Sequence, residues 1–238
     1  MLFFTQKGKV YWMRVYEIPE GTKTSKGRAI QNLINIESDD KVKAFLVTQD
    51  LKDEDYVNNN YVLMVTKKGQ TKKTSLEQYS RPRTNGINAI TIKEGDELLE
   101  AKLTDGKSQI MIALKSGKSI RFEESKTRPM GRNASGVRGI TLRDDKDEVV
   151  GMVSIPDEES DILVVSEKGY GKRSKLSDYR ITNRGGKGVK TINITPKTGE
   201  LVAIKNVLDT DDLMIINKSG ITIRMSVSDL RVMGRATQ

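Results

Sequence analysis

Five stretches of the 238-residue chain repeat one plan, and no other feature restricts the fold as much. Each has an apolar run, a lysine-containing turn that closes on glycine, and a second short strand-like run. The copies read "LFFTQKGKVYWMRV", "YVLMVTKKGQTKKTSL", "QIMIALKSGKSIRF", "DILVVSEKGYGKRSKL" and "DLMIINKSGITIRMSV". Their turn glycines are Gly8, Gly69, Gly117, Gly169 and Gly220; after the first interval, which carries the polar insertion "QDLKDEDYVNNN", they recur every 48 to 52 residues. A second glycine (Gly27, Gly86, Gly136 or Gly188) follows its turn glycine by 17 or 19 residues and opens another strand-like run, as in "GINAITI" and "GVRGITL". A third apolar stretch completes the unit: "KVKAFLVT", "DELLEAKL", "DEVVGMVSI" or "GELVAIKNV".

Glycine at a tight hairpin turn is what a positive φ demands. No window sustains helical periodicity over three turns, so the reading is four short strands per unit of about 50 residues. That predicts an all-β, propeller-like array of four-stranded blades in one domain spanning 1–238, with units near 1–55, 56–105, 106–157, 158–208 and 209–238. The WD-type dipeptide and the kelch diglycine are missing from their expected places. A 19-residue step from Gly220 passes the last residue, so the chain is expected to end, and also to begin, inside a repeat.

Composition narrows the chemistry. With 41 Lys and Arg against 32 Asp and Glu, the formal charge is +9, which favours a polyanionic partner, nucleic acid ahead of an anionic membrane surface. The chain has no cysteine and no histidine, which removes thiolate metal sites, disulfides, Ser-His-Asp and Cys-His catalysis and the commonest general base. No apolar stretch is long enough to span a bilayer, and the start "MLFFTQKGK" is charged too soon for a secretory signal. A cytoplasmic protein with no metal or cofactor is expected.

The charge is segregated within the unit. Residues 115–139 hold seven Lys or Arg and two acids, whereas 141–161 hold two and eight. The fourth residue after the turn glycine is Trp12, Lys73, Arg121, Arg173 or Arg224; the eleventh is Arg128, Arg180 or Arg231 in the last three units. The fifteenth is Lys23, Thr84 (beside Arg83), Arg132, Arg184 or Arg235. Recurrence at equivalent positions predicts a belt of cations on the rim, joined by Lys26, Arg28, Lys72, Arg81, Arg138 and Lys172. Such a belt suits the phosphates of a bent duplex, since contacts must be distributed along the bend and stacking aromatics are scarce. Tyr11, Tyr16, Tyr79, Tyr179 and Trp12 are read as packing residues.

The loop "NRGGKG" precedes the second glycine of the fourth unit. Gly185, Gly186 and Gly188 would let backbone N–H groups approach phosphate oxygens, flanked by Arg184 and Lys187. A Walker loop is excluded, because its upstream glycine is absent and no helical pattern follows.

Together "RGGKG", "EKGYGKRSKLSDYR", "RPMGRNASGVRGITL", "VYEIPEGTKTSKGRAIQNL" and "MGRATQ" closely resemble the C-terminal domain of the DNA gyrase A subunit, over essentially the whole chain. The resemblance implies a six-bladed β-pinwheel with strands exchanged between neighbouring blades. It implies a function too: bending and wrapping duplex DNA around a basic rim so that the parent type IIA topoisomerase introduces negative supercoils. The implied partners are duplex DNA, the gyrase B subunit, and the rest of the A subunit, without a membrane; no catalytic or ATP-binding motif is visible. The family box Q-R-R-G-G-K-G belongs to the first blade, but "TNRGGKG" at 182–188 lies in the fourth repeat, so the principal box is expected upstream of Met1 and the wrap to be less complete. Two other readings remain open, the equivalent domain of topoisomerase IV and a propeller for protein interaction.

Overall fold

The computed structural model describes residues 1–22, 24–156 and 158–237. Every predicted turn glycine closes an antiparallel hairpin. The hairpins are β1 (Leu2–Thr5) with β2 (Lys9–Trp12), β4 (Tyr61–Thr66) with β5 (Gln70–Ser75), and β8 (Gln109–Leu114) with β9 (Lys118–Glu123). They continue with β12 (Asp161–Ser166) and β13 (Gly171–Lys175), then β16 (Asp212–Ile216) and β17 (Thr222–Ser226). The third apolar stretches become β3 (Val42–Leu46), β7 (Leu98–Thr104), β11 (Val149–Ile155) and β15 (Leu201–Val207), each paired with the first strand of its own hairpin.

The fourth strand of a sheet comes from the next repeat. The runs opened by the second glycines supply β6 (Ile87–Asn88), β10 (Val137–Arg138) and β14 (Val189–Lys190). They pair with β2, β5 and β9 of the preceding unit, giving the orders β3-β1-β2-β6, β10-β5-β4-β7 and β11-β8-β9-β14. Among the described residues the fourth sheet has three strands, β13-β12-β15, and the fifth only β16-β17. The fold is thus an all-β pinwheel of antiparallel four-stranded blades with strand exchange. The polar insertion adds one short helix, α1 (Glu54–Asn59), capped by the Asp53 carboxylate, which accepts from Tyr56 N at 3.1 Å.

Glycine is required where repeats interlock. A Cβ on Gly188 would lie 2.4 Å from the Ser119 carbonyl oxygen of β9, and one on Gly117 would lie 2.7 Å from Ile192 O. The two glycine series are therefore two sides of one contact, in which the turn of one repeat receives the exchanged strand of the next.

The chain divides into two compact units. One is Met1–Lys107 with Thr127–Gly139; the other is Ser108–Lys126 with Ile140–Gln238. In the first, Leu2, Phe4, Val62, Met64, Tyr79, Ile90 and Leu98 pack as one core, with Phe4 edge-on to Tyr79 at a 5.9 Å centroid separation. In the second, Met111, Val153, Ile162, Val164, Tyr179, Ile192 and Leu201 do the same. The central strands β4 and β8 are covered on both faces, so their apolar residues run consecutively rather than alternating. Tyr11, Tyr79 and Tyr179 are buried packing residues as expected, and half-buried Trp12 donates from Nε1 to Tyr79 O at 2.9 Å. Tyr16 departs from the expectation: it is exposed.

Part of the acidic charge caps turns. Asp40, Asp96 and Asp147 stand two residues before β3, β7 and β11 and accept from the backbone N–H just before the turn glycine, at Lys7, Lys68 and Ser116. Asp147 is the most fully used, taking also Ser116 Oγ at 2.7 Å, Arg143 N at 3.0 Å and Glu148 N at 3.1 Å. Replacing Asp147 by alanine leaves these donors unpaired in a buried place and is expected to lower unfolding free energy by about 2 kcal/mol. Denaturant titration checks this.

Candidate nucleic-acid interface

The exchange that builds the blades also sets the basic loops. In the third, fourth and fifth repeats the basic loop crosses the hairpin of the preceding repeat and is held there by a backbone bond to the residue four after that hairpin's turn glycine. Met130 N donates to Lys73 O at 2.8 Å, Thr182 N to Arg121 O at 2.8 Å and Met233 N to Arg173 O at 2.7 Å. Cations of two successive repeats are brought side by side in this way.

In the first unit, Arg81 and Arg83 of the second repeat meet Arg132 of the third around a cleft of about 280 Å³ that Glu77, Gln78 and Ile87 also line. Arg81 and Arg83 are exposed and Arg132 is half-buried. In the second unit, Arg180, Asn183, Gly186 and Lys187 lie over Ser119 and Ile120 of β9 around a cleft of about 250 Å³. The Arg184 guanidinium lies back on the preceding repeat, donating from Nε to Lys126 O at 2.9 Å; Arg235 does the same one repeat later, donating to Asp178 O at 3.1 Å. The glycine loop is itself held open, because Thr141 donates from Oγ1 to Gly185 O at 2.7 Å and from N to Gly186 O at 2.9 Å.

Arg128, Arg180 and Arg231, the recurring eleventh residues, are all exposed, as are Lys26, Arg28, Arg138 and Lys187. Lys26 and Arg28, on the long connection between β2 and β3, line neither cleft. Arg224 is exposed and paired with Asp212, to which its Nε donates at 2.9 Å. Lys23 lies outside the described residues.

Five residues expected on the rim are buried instead: Lys72, Lys73, Arg121, Lys172 and Arg173. Their strands are covered on both faces, so side chains here point into protein whichever way the pleat turns. A buried charge needs partners, and four of these find carbonyls of the next repeat. Arg121 Nη1 donates to Leu176 O at 3.0 Å and Tyr179 O at 2.9 Å, and its Nε to Gln109 Oε1 at 2.7 Å. Arg173 Nη1 donates to Val227 O at 3.1 Å and to Asp209 Oδ1, while its Nε pairs with Asp161 at 3.2 Å. Lys72 donates to Ala89 O and Arg132 O, both at 2.6 Å. Lys172 donates to Gly234 O at 3.0 Å, Thr237 O at 2.7 Å and Arg235 O. Lys73 lies over the Tyr61 ring at 5.1 Å. Burial lowers the Lys72 ammonium to about 7, helped by the like charge of Arg132, and lowers Lys172 to about 8, with Arg235 adding to the shift. Lys72, Arg121, Lys172 and Arg173 thus tie successive repeats together.

A family model described as "DNA gyrase C-terminal domain, beta-propeller" matches residues 1–49, 60–105, 109–156, 160–207 and 211–238. The DNA gyrase A subunit of Staphylococcus aureus (strain NCTC 8325 / PS 47) is 44% identical over 239 aligned positions, covering 100% of this chain and 26% of the relative. The chain thus spans about a quarter of the length of the curated relatives it matches. Among solved structures, the C-terminal domain of DNA topoisomerase IV superposes with a TM-score of 0.87 at 26% identity, covering 100% of this chain and 72% of that one. The DNA gyrase A C-terminal domain superposes with a TM-score of 0.85 at 23% identity, covering 99% and 75%.

Proposed function

This chain belongs to the DNA gyrase C-terminal domain family, and from that premise we propose that it binds and bends duplex DNA through the phosphate backbone. The observation that carries the reading is the gathering of cations around the two clefts, Arg81 and Arg83 with Arg132 of the next repeat in one, and Arg180 with Lys187 over β9 of the preceding repeat in the other. Cations spaced along a series of equivalent loops neutralise successive phosphates and release counterions, and no base-reading helix is needed. The residues assigned to DNA are Arg81, Arg83, Arg128, Arg132, Arg138, Arg180, Arg184, Lys187, Arg231 and Arg235, with the backbone of Gly185, Gly186 and Gly188. Lys26, Arg28 and Arg224 contribute at longer range. Within the parent enzyme, the B subunit with the rest of the A subunit would supply strand passage and ATP hydrolysis, while this part handles DNA without metal or cofactor chemistry.

Two measurements test the reading. Duplex affinity should fall linearly in log K against log salt, with a slope of about −0.9 for each phosphate neutralised. A flat dependence would overturn it and favour a protein-interaction module. Relaxed circular DNA should then be incubated with the chain, relaxed by a nicking-closing topoisomerase and stripped of protein. A positive linking-number shift is expected, the sense that serves negative supercoiling; salt-sensitive binding with no shift would limit the chain to bending.

A further inference from the structure

A short 3₁₀ turn follows the second strand of the hairpin in the second, third and fourth repeats, at Leu76–Tyr79, Glu124–Lys126 and Leu176–Asp178. Residues three apart in such a turn share a face. Leu76 with Tyr79, Glu124 with Thr127 and Leu176 with Tyr179 are buried, which leaves the two residues between them in solvent. The exposed pairs are Glu77 with Gln78, Ser125 with Lys126 and Ser177 with Asp178, eight and nine residues after the turn glycines Gly69, Gly117 and Gly169. Each pair lies beside the loop arginine of the next repeat. Arg184 donates from Nε to Lys126 O at 2.9 Å, Arg235 donates from Nε to Asp178 O at 3.1 Å, and Arg132 shares its cleft with Glu77 and Gln78.

We propose that the exposed pair of this turn sets the strength of the phosphate site beside it, that Lys126 is itself a phosphate contact, and that Glu77 and Asp178 weaken their sites. The inference rests on the DNA reading above. The loop arginine recurs at all three junctions, whereas the charge next to it changes sign: an acid at Glu77 beside Arg132, a base at Lys126 beside Arg184, and an acid at Asp178 beside Arg235. Packing does not select these side chains, because both members of each pair face solvent and the second is glutamine, lysine or aspartate in turn. Charge acts at this range. At about 7 Å in water, a unit charge changes the affinity for a phosphate about threefold, and added salt screens the effect. Lys126 belongs to the junction that also carries Lys187 and the glycine loop, so cations gather there without an acid in the turn. The sites over Glu77 and Asp178 therefore release DNA at lower salt than the site over Lys126.

The test uses the full chain and a short duplex. Glu77→Gln and Asp178→Asn are each expected to tighten binding about threefold at an unchanged salt slope, since neither alters the number of phosphates neutralised. Lys126→Gln should weaken binding about threefold or more and flatten the slope by about 0.9. Asp178→Lys reproduces the Lys126 arrangement one junction later; it should tighten binding about tenfold and steepen the slope by about 0.9. Glu94→Gln makes the same charge change at an exposed residue that lines neither cleft and should leave affinity unchanged. All four positions are exposed, so melting temperatures should stay at the wild-type value. The inference is overturned if Glu94→Gln tightens binding as much as Glu77→Gln, which would make net charge the cause, or if Lys126→Gln keeps the wild-type slope. If wild-type binding is itself insensitive to salt, the DNA reading fails first. If it is salt-sensitive while Glu77→Gln, Asp178→Asn and Lys126→Gln all bind as wild type, only the role of the turn fails.

Discussion

Gly188→Ala should destabilise the second unit by more than about 3 kcal/mol, whereas Gly27→Ala should cost only about 1 kcal/mol, although both glycines have φ of +70°. The shared backbone conformation sets a common strain for any L-residue. What differs is space: nothing lies within 4 Å of the Cβ position at Gly27, whereas at Gly188 the Ser119 carbonyl oxygen stands at 2.4 Å and its carbon at 2.7 Å. Those atoms belong to the strand with which β14 pairs, Val189 opposite Ser119 and Lys190 opposite Lys118, so relief of the clash means moving the exchanged strand off its ladder. Loss of that pairing would also release the hydrogen bond between Ser119 and Thr191 that ties the two repeats side chain to side chain. Denaturant midpoints of the two variants, read against wild type, separate strand exchange from turn strain; equal losses would show that close approach at Gly188 contributes nothing.

The comparison of these glycines also shows how far the fold is legible in the sequence. Turn glycines announce themselves, because a tight turn constrains one residue locally and the constraint recurs with the repeat. Partnership of strands does not, because a run such as "GVKTINI" has the same alternation whichever repeat it pairs with. The offset of 19 residues marks the second glycine as structural but carries no trace of the sheet it enters. The aspartate caps are hidden for a related reason. Asp40, Asp96 and Asp147 stand 32, 27 and 30 residues after their turn glycines, so no fixed column forms, although each stands two residues before its third strand.

At the candidate interface, the sequence names the right kind of residue and misplaces some of them. Arg128, Arg180 and Arg231 lie on loops and are exposed, whereas Arg121 and Arg173 lie mid-strand in a sheet covered on both faces. A signal for this is present. The third residue after the turn glycine is Tyr11, Lys72, Ile120, Lys172 or Ile223, a column that accepts an aromatic or aliphatic side chain as readily as lysine; its first four members are buried, and Ile223, in the sheet with only two strands among the described residues, is exposed. Equating charge with exposure neglects the apolar members of the same column. The physical ground for error is that long cationic side chains can satisfy carbonyl oxygens as well as phosphates.

Buried and exposed arginines should therefore respond to substitution in opposite ways. If Arg81, Arg83 and Arg132 each contact one phosphate, removing them together should flatten the salt slope of duplex binding by about 2.7. A fourfold rise in salt would then weaken wild type about 40-fold more than the triple variant. Its unfolding midpoint should stay close to wild type, since Arg81 and Arg83 are exposed and Arg132 is joined to the fold through its backbone carbonyl rather than its guanidinium. Arg121→Met reverses the pattern. It deprives Leu176 O, Tyr179 O and Gln109 Oε1 of their donor in a buried place and should cost more than about 3 kcal/mol of stability. The folded fraction of that variant should keep the full salt slope, because no phosphate contact has been lost. An unchanged slope in the triple variant would remove this cleft from the DNA path, and a reduced slope in folded Arg121→Met would return that guanidinium to the interface. Measuring both quantities on both variants assigns each arginine to cohesion between repeats or to contact with DNA.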